Sequence, residues 1–322
     1  MGTQICQNNS PIGLSACEQL IRIALHIPYL KDEKPIGIML IAQPGMGKSM
    51  LLTRFESDNI VTANDLTGYG LEKTILECKK ISKGYIVIPD LLRLQSRKAG
   101  WQAFLTLTNV ILEEGLVGIA RGDLNVRFKK PINFGILTAI TADCFKTSLG
   151  YWQKVGFASR FALFSYSYED SDYKRIEELV SNKANGHYGR IAIKPPRRLR
   201  GEKRIEVSPK MADHIRCVGK IMANGKPSNF RSISFIRRLV KAHALMNNRG
   251  KAVMEDIRNV FALVPFFVPP YPTSTDLEYC LLKGTPMKIL EKNYQDREIY
   301  EAERRLVNKQ ICWTRIVKPK MQ

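Results

Sequence analysis

The stretch AQPGMGKS, Ala42 to Ser49, holds the residue types and spacing that most plainly ask for chemistry. Gly45 and Gly47 permit a backbone with positive φ that turns its N–H groups inward. Lys48 follows with a reaching ammonium and Ser49 with a hydroxyl. This is the Walker A pattern, with Ala42 in place of the usual first glycine. Between a strand and a helix such a loop cradles phosphates at the new helix's N-terminus. Pro44, Gly45, Met46, Gly47, Lys48, Ser49 and Met50 form the expected nucleotide cradle. In it Lys48 reaches the β- and γ-phosphates of ATP and Ser49 ligates Mg²⁺. A bare glycine turn is the alternative.

A second position answers the first. The apolar run GYIVIP at 84–89 ends at Asp90, on the strand edge where ligands bind in open parallel sheets. That is the Walker B position, from which Asp90 would hold Mg²⁺ through water. Its rival role is to cap a helix, since Leu91, Leu92 and Leu94 follow. Many such ATPases carry a glutamate next, where this chain has Leu91. Glu113 and Glu114 are the nearest carboxylates by element order, and nothing in the sequence brings either to a γ-phosphate. ATP binding is therefore expected ahead of rapid hydrolysis.

The elements that must position these residues follow from the apolar pattern. Strands are expected at 36–41, 84–89 and 133–141. Each is a continuous apolar run suited to the buried centre of a parallel sheet. Helices are expected at 14–30 with Ser15 as cap, from Lys48 to Phe55, at 70–81 and at 101–114. Alternation of this kind argues for an α/β sandwich. Beyond a polar helix at 172–182 comes the run Arg190 to Arg204, with seven Lys/Arg to one Glu and broken by Pro195-Pro196. It reads as a linker or exposed hairpin. Helices are expected again at 208–223, 229–247 and 253–264. The expected domains are a core at 1–172, a basic linker at 173–206, a helical domain at 207–268 and a small module at 273–322.

Composition bounds the function. A chain of 322 residues with 44% hydrophobic and 25% charged residues is not disordered in bulk. The longest apolar run, Phe261 to Val268, is too short to span a bilayer. No basic-then-apolar leader opens the sequence, so secretion is not expected. Seven scattered cysteines fit neither a disulfide framework nor a zinc site, which suggests a reducing cytoplasm. Charge is uneven: residues 1–172 hold 19 Lys/Arg against 16 Asp/Glu, and residues 173–322 hold 31 against 14. So cationic a second half points to a polyanion, with DNA the first candidate.

Four further features resemble the AAA+ superfamily, in particular its minichromosome-maintenance and MoxR-like branch. The third strand ends in Thr138-Ala-Ile-Thr141, where that family carries a polar sensor residue. Thr141 matches the position best and Thr138 second. GFASRF, Gly156 to Phe161, is similar to the arginine-finger segment of the replicative helicases and nominates Arg160. A guanidinium there would reach a phosphate held by the neighbouring subunit; an ordinary surface salt bridge is the alternative. Ile111 to Leu137 resembles the helix, hairpin and strand that precede the sensor. In the helicases a basic residue at that hairpin's tip tracks DNA; here Arg121 occupies the turn, with Arg127, Lys129 and Lys130 on the return. A solvated hairpin with ordinary charges is the alternative. NFRSISFIRRLVKAHALMNNRGKAVMEDIRNVFAL resembles the helical lid, with Arg231 in the second sensor's place and His243 on the packed face.

Residues 274–318 fit a winged helix, as replicative helicases and origin-recognition ATPases carry after the lid. Its third helix, about 296–309, bears Arg297, Tyr300, Arg304, Asn308 and Lys309 on one face, and ICWTRIV would return as the wing with Arg315 exposed. Such a helix enters the DNA major groove, and Arg197, Arg198 and Arg200 of the linker add phosphate-gripping charge; protein binding, which a winged helix also supports, is the alternative.

The resemblance thus implies an α/β P-loop AAA+ parallel-sheet sandwich with a helical lid and a C-terminal winged helix-turn-helix. It implies an ATPase that binds ATP and Mg²⁺ at subunit interfaces of a homo-oligomer, a hexameric ring or spiral on DNA. Lys48, Ser49 and Asp90 would act in cis, with Arg160 and then Arg231 the candidates supplied in trans. The role would be a helicase-like translocase or loader in replication or mobile-element maintenance, with no membrane partner. One rival is a slowly hydrolysing ATP-dependent DNA-binding switch that recruits a transposase or helicase, which Leu91 favours. Another is a MoxR-type chaperone that remodels proteins, which the cationic second half disfavours.

Overall fold

The computed structural model describes residues 11–63, 68–77, 81–95, 98–121, 124–181, 188–194, 202–222, 230–267 and 291. The expected winged module, apart from residue 291, lies outside them, with Arg297, Arg304, Lys309 and Arg315, as do Arg197, Arg198 and Arg200. The chain divides into two compact units: Met1–Tyr29 with Glu33–Leu199, and Leu30–Asp32 with Arg200–Gln322. The first therefore reaches past the boundary expected near 172 and takes in the helix and short strand that follow.

The first unit opens with α1 (Ser15–Ala24), β1 (Gly37–Ala42), α2 (Lys48–Thr53), β2 (Phe55–Glu56), β3 (Ile60–Thr62), α3 (Gly68–Glu77) and β4 (Lys83–Ile88). It continues with α4 (Leu92–Gln95), α5 (Lys98–Glu113), β5 (Leu116–Arg121), β6 (Leu124–Thr141) and α6 (Ala142–Lys154). It closes with β7 (Phe161–Ser165), α7 (Asp170–Ser181) and β8 (Ile191–Ala192). Five parallel strands form the sheet in the order β3-β4-β6-β1-β7. All six residues of β1 are buried, as the continuous apolar run requires of a strand covered on both faces.

β6 is longer than the expected strand at 133–141. Its first half pairs antiparallel with β5 as a ribbon, and its second half enters the parallel sheet from Asn133 onward. Gly135 is needed there, because a Cβ would stand 2.3 Å from the ring of the buried Tyr85. A small second sheet joins β2 to β8 in parallel, so part of the basic segment is paired to the chain just after α2.

Several boundaries differ from expectation for local reasons. α1 stops at Ala24 and a 3₁₀ turn follows over Ile27–Tyr29, because Pro28 cannot donate within a continuing helix. Its cap position is Leu14 and Ser15 is the first helical residue, with no side-chain cap. α2 ends at Thr53, which releases Phe55 to pair with Ile191.

The second unit contains α8 (Pro209–Met222), α9 (Phe230–Met246) and α10 (Met254–Phe261). Ile236, Leu239 and Val240 of α9 are buried, and Ile233 is half-buried. His243 is buried and its Nδ1 lies 2.6 Å from the Asp256 carboxylate, so it packs as expected. Asp256, wholly buried, also accepts from Arg249 and from the Val253 N–H at 2.8 Å.

Candidate phosphate-binding site

The loop between β1 and α2 is built as its glycines demand. Gly45 and Gly47 take φ of 76° and 73°, in the left-handed region that side chains disfavour. Space beside Gly45 is open, with nothing within 4 Å of where a Cβ would sit. Gly47 immediately precedes α2, so the loop runs straight into a helix N-terminus. The Lys48 ammonium donates to the carbonyls of Ala42 at 2.8 Å and Gln43 at 2.6 Å. Burial holds its pKa below the ordinary lysine value, and the nearby Asp90 charge opposes that shift.

Ser49 ties the loop to the second motif. Its hydroxyl donates to the carbonyl of Pro89 at 3.0 Å, one residue from Asp90. Register explains the meeting: Ile88 pairs with Thr138, and Thr138 pairs with Met39 of β1. Both motifs therefore leave the strands on either side of β6 at the same carboxyl edge. Asp90 Oδ1 accepts the Leu92 N–H at 3.0 Å, so the capping role exists, and its other oxygen lies 3.8 Å from Arg93 Nε. The carboxylate remains 39% exposed and open to a further ligand.

This donor set fits the expected nucleotide and Mg²⁺. Among the described residues no three His, Cys, Asp or Glu gather to hold a metal. Mg²⁺ with phosphates asks less, taking one or two protein oxygens besides water and phosphate. Ser49 and Asp90 would supply that pair.

Thr141 closes the edge. It pairs with Ala42, the first residue of the loop motif, and stands at the cap of α6. Thr138 is wholly buried with an unpartnered hydroxyl, which leaves Thr141 the accessible one. Leu91 is also wholly buried, its N–H donating to Ala139 at 3.0 Å. The position after Asp90 thus faces the core.

Arg160 lies at the other edge. Gly37, the first residue of β1, pairs with Phe161, and Arg160 precedes it in a 3₁₀ turn. Gly156, at φ 73°, turns the chain out of α6, and Phe157 anchors that turn between Trp152 and Phe161, at centroid distances of 5.2 and 4.8 Å. The guanidinium pairs with Glu113 and donates to the Gly156 carbonyl. The salt-bridge alternative for Arg160 is thus present, and it removes Glu113 from the loop's end of the sheet.

The ribbon leaves the sheet at this same amino edge, since Asn133 is level with Lys83 at the start of β4. On it Arg127 and Lys129 are exposed, with Arg127 across from Gly118 of β5. Arg121 ends β5 opposite Leu124; its side chain lies outside the described residues. Arg231 is exposed near the start of α9 in the second unit.

Tyrosines that no motif nominates also reach the loop: the hydroxyls of Tyr166 and Tyr168 both donate to the Met46 carbonyl. Only their alternation after an apolar strand, SYSY, could have drawn attention to them.

The chain matches no protein-family model and no curated protein. Among the described residues no helix is long and apolar enough to cross a membrane.

Proposed function

We propose that the chain is an AAA+-type ATPase that binds ATP and Mg²⁺ and assembles on DNA as a helicase-like translocase or loader. One observation carries the nucleotide reading: the Ser49–Pro89 hydrogen bond joins a left-handed glycine loop to Asp90 at one sheet edge. In this reading the loop N–H groups and Lys48 bind the phosphates, and Ser49 and Asp90 hold the cation. Mg²⁺, when bound, draws charge from the phosphate oxygens. Thr141 orients polar groups beside the terminal phosphate.

The subunit-interface part of the proposal rests on the place of Arg160, in the turn that leads into β7. Six residues of strand at about 3.3 Å each put roughly 20 Å between the sheet's two edges. An arginine side chain does not cover that span, so a phosphate contact by Arg160 must be made to a neighbouring protomer. The exposed Arg127 and Lys129, with the cationic second half of the sequence, support DNA as the polyanion.

A second reading has its own observation. Leu91 is buried where a water-orienting carboxylate would otherwise stand, which favours a slow ATP-dependent switch over a motor. Single-turnover hydrolysis with and without duplex DNA, beside sedimentation with an ATP analogue, separates the readings. A motor hydrolyses faster on DNA; a switch assembles with ATP and hydrolyses slowly in both conditions. DNA binding that is absent or insensitive to salt would contradict both and favour protein remodelling.

A further inference from the structure

Three tyrosines converge on one residue of the loop. The Tyr166 hydroxyl donates to the Met46 carbonyl oxygen at 2.8 Å, the Tyr168 hydroxyl donates to the same oxygen at 3.0 Å, and the Tyr173 hydroxyl lies 3.7 Å from Met46 Sδ. Both lone pairs of that carbonyl are thereby used. The tyrosines are themselves fixed. Tyr166 continues the line of β7, its N–H donating to Ile41 at 3.3 Å. The Tyr168 ring packs against Tyr166 at 6.4 Å and edge-on to Tyr173 at 5.6 Å between centroids. Burial pushes the Tyr168 phenol up to about 12 and Tyr166 higher still, so both remain donors at neutral pH.

The peptide they hold needs holding. Glycines flank Met46 on both sides, each with positive φ, and glycine-flanked peptides have the freest rotation in a chain. A peptide unit is planar, with its C=O and N–H directed to opposite sides. Fixing the Met46 oxygen therefore fixes the direction of the Gly47 N–H, the last amide before α2.

We propose that Tyr166 and Tyr168 are positioning residues for phosphate binding: they hold the Met46 carbonyl on the tyrosine side and so keep the Gly47 N–H turned into the phosphate cradle. The inference rests on the ATP reading above and extends it to side chains outside any nucleotide motif. It also makes the loop preorganised before nucleotide arrives, because the two hydroxyls do the ordering that phosphate would otherwise impose.

The test uses the full chain and its Tyr166→Phe, Tyr168→Phe and double variants. Phenylalanine keeps both rings and removes only the hydroxyls. A fluorescent ATP analogue and unlabelled ADP, each with Mg²⁺, serve as probes. The double variant should raise the Kd for both by about tenfold, and each single variant by about threefold, in line with the usual worth of one or two hydrogen bonds. With ¹⁵N-glycine labelling, the Gly47 amide signal of the nucleotide-free double variant should broaden as its peptide samples more than one orientation. Its thermal midpoint should stay near that of the wild type. Wild-type Kd values in both single variants, together with a sharp Gly47 signal, overturn the positioning role while leaving the ATP reading intact. Failure of the wild type itself to bind either probe overturns the ATP reading and this inference with it.

Discussion

Lys48 and Arg160 stand at opposite ends of the same strand. Lys48 opens the helix that follows the carboxyl end of β1, and Arg160 precedes the residue paired with Gly37 at its amino end. In the proposed reading, one protomer would offer a phosphate loop at one edge and a guanidinium at the other. Copies stacked edge to edge would bring the two together.

Replacing Arg160 by alanine should leave ATP binding unchanged and lower hydrolysis by about 1,000-fold or more, the usual worth of an arginine finger. Mixing Arg160→Ala with Lys48→Ala protein should restore hydrolysis above either alone, since each supplies what its neighbour lacks. The cost in stability should stay near 1 kcal/mol, because Glu113 is 40% exposed and partly solvated without its partner. Unrestored activity in the mixture would argue that Arg160 serves its own fold.

Asp90 has two roles that one pair of substitutions separates. Asp90→Asn keeps an oxygen for the Leu92 N–H and should hold the thermal midpoint, since asparagine caps as well as aspartate. It should nevertheless weaken Mg²⁺-dependent nucleotide binding. Asp90→Ala should lose binding and also about 1 kcal/mol of stability. Equal Mg²⁺ dependence in wild type and Asp90→Asn would exclude Asp90 as a metal ligand.

Installing the missing glutamate should not rescue hydrolysis. Leu91 is wholly buried, so Leu91→Glu would place a carboxylate in the core and cost roughly 3 kcal/mol or more. A folded Leu91→Glu protein with faster turnover would show that this position can face the nucleotide after all.

How much of this could be read from the chain depended on range. β1 and β4 were legible because continuous apolar runs bounded by glycine, proline or aspartate have few other uses. The glycine loop was legible because only glycine sits comfortably at the two positive φ values. Helices ran long where the periodicity continued past a break, as at Pro28. The tyrosines were not legible, because Tyr166 meets Met46 across 120 residues and nothing local marks the pair. The same holds for Arg160 and Glu113, whose pairing depends on how the turn after α6 lies against the end of α5.

Acid should loosen the second unit through Asp256. Burial opposes its charge, but hydrogen bonds from His243, Val253 and Arg249 hold its pKa below the ordinary aspartate value. Its contribution is therefore complete above the unfolded value of about 4 and fades as pH falls toward the lower folded one. Thermal midpoints measured from pH 7 to pH 3 should fall more steeply for wild type than for Asp256→Asn at the acid end. Parallel curves would assign the acid sensitivity elsewhere.

The most direct test of the central claim is equilibrium binding of a labelled ATP analogue, with and without Mg²⁺, to wild-type and Lys48→Ala protein. Saturable binding that tightens with Mg²⁺ and falls at least tenfold in the variant is the expected result. No retention by wild-type protein at millimolar analogue, or equal retention by both proteins, would contradict a triphosphate seat at this loop.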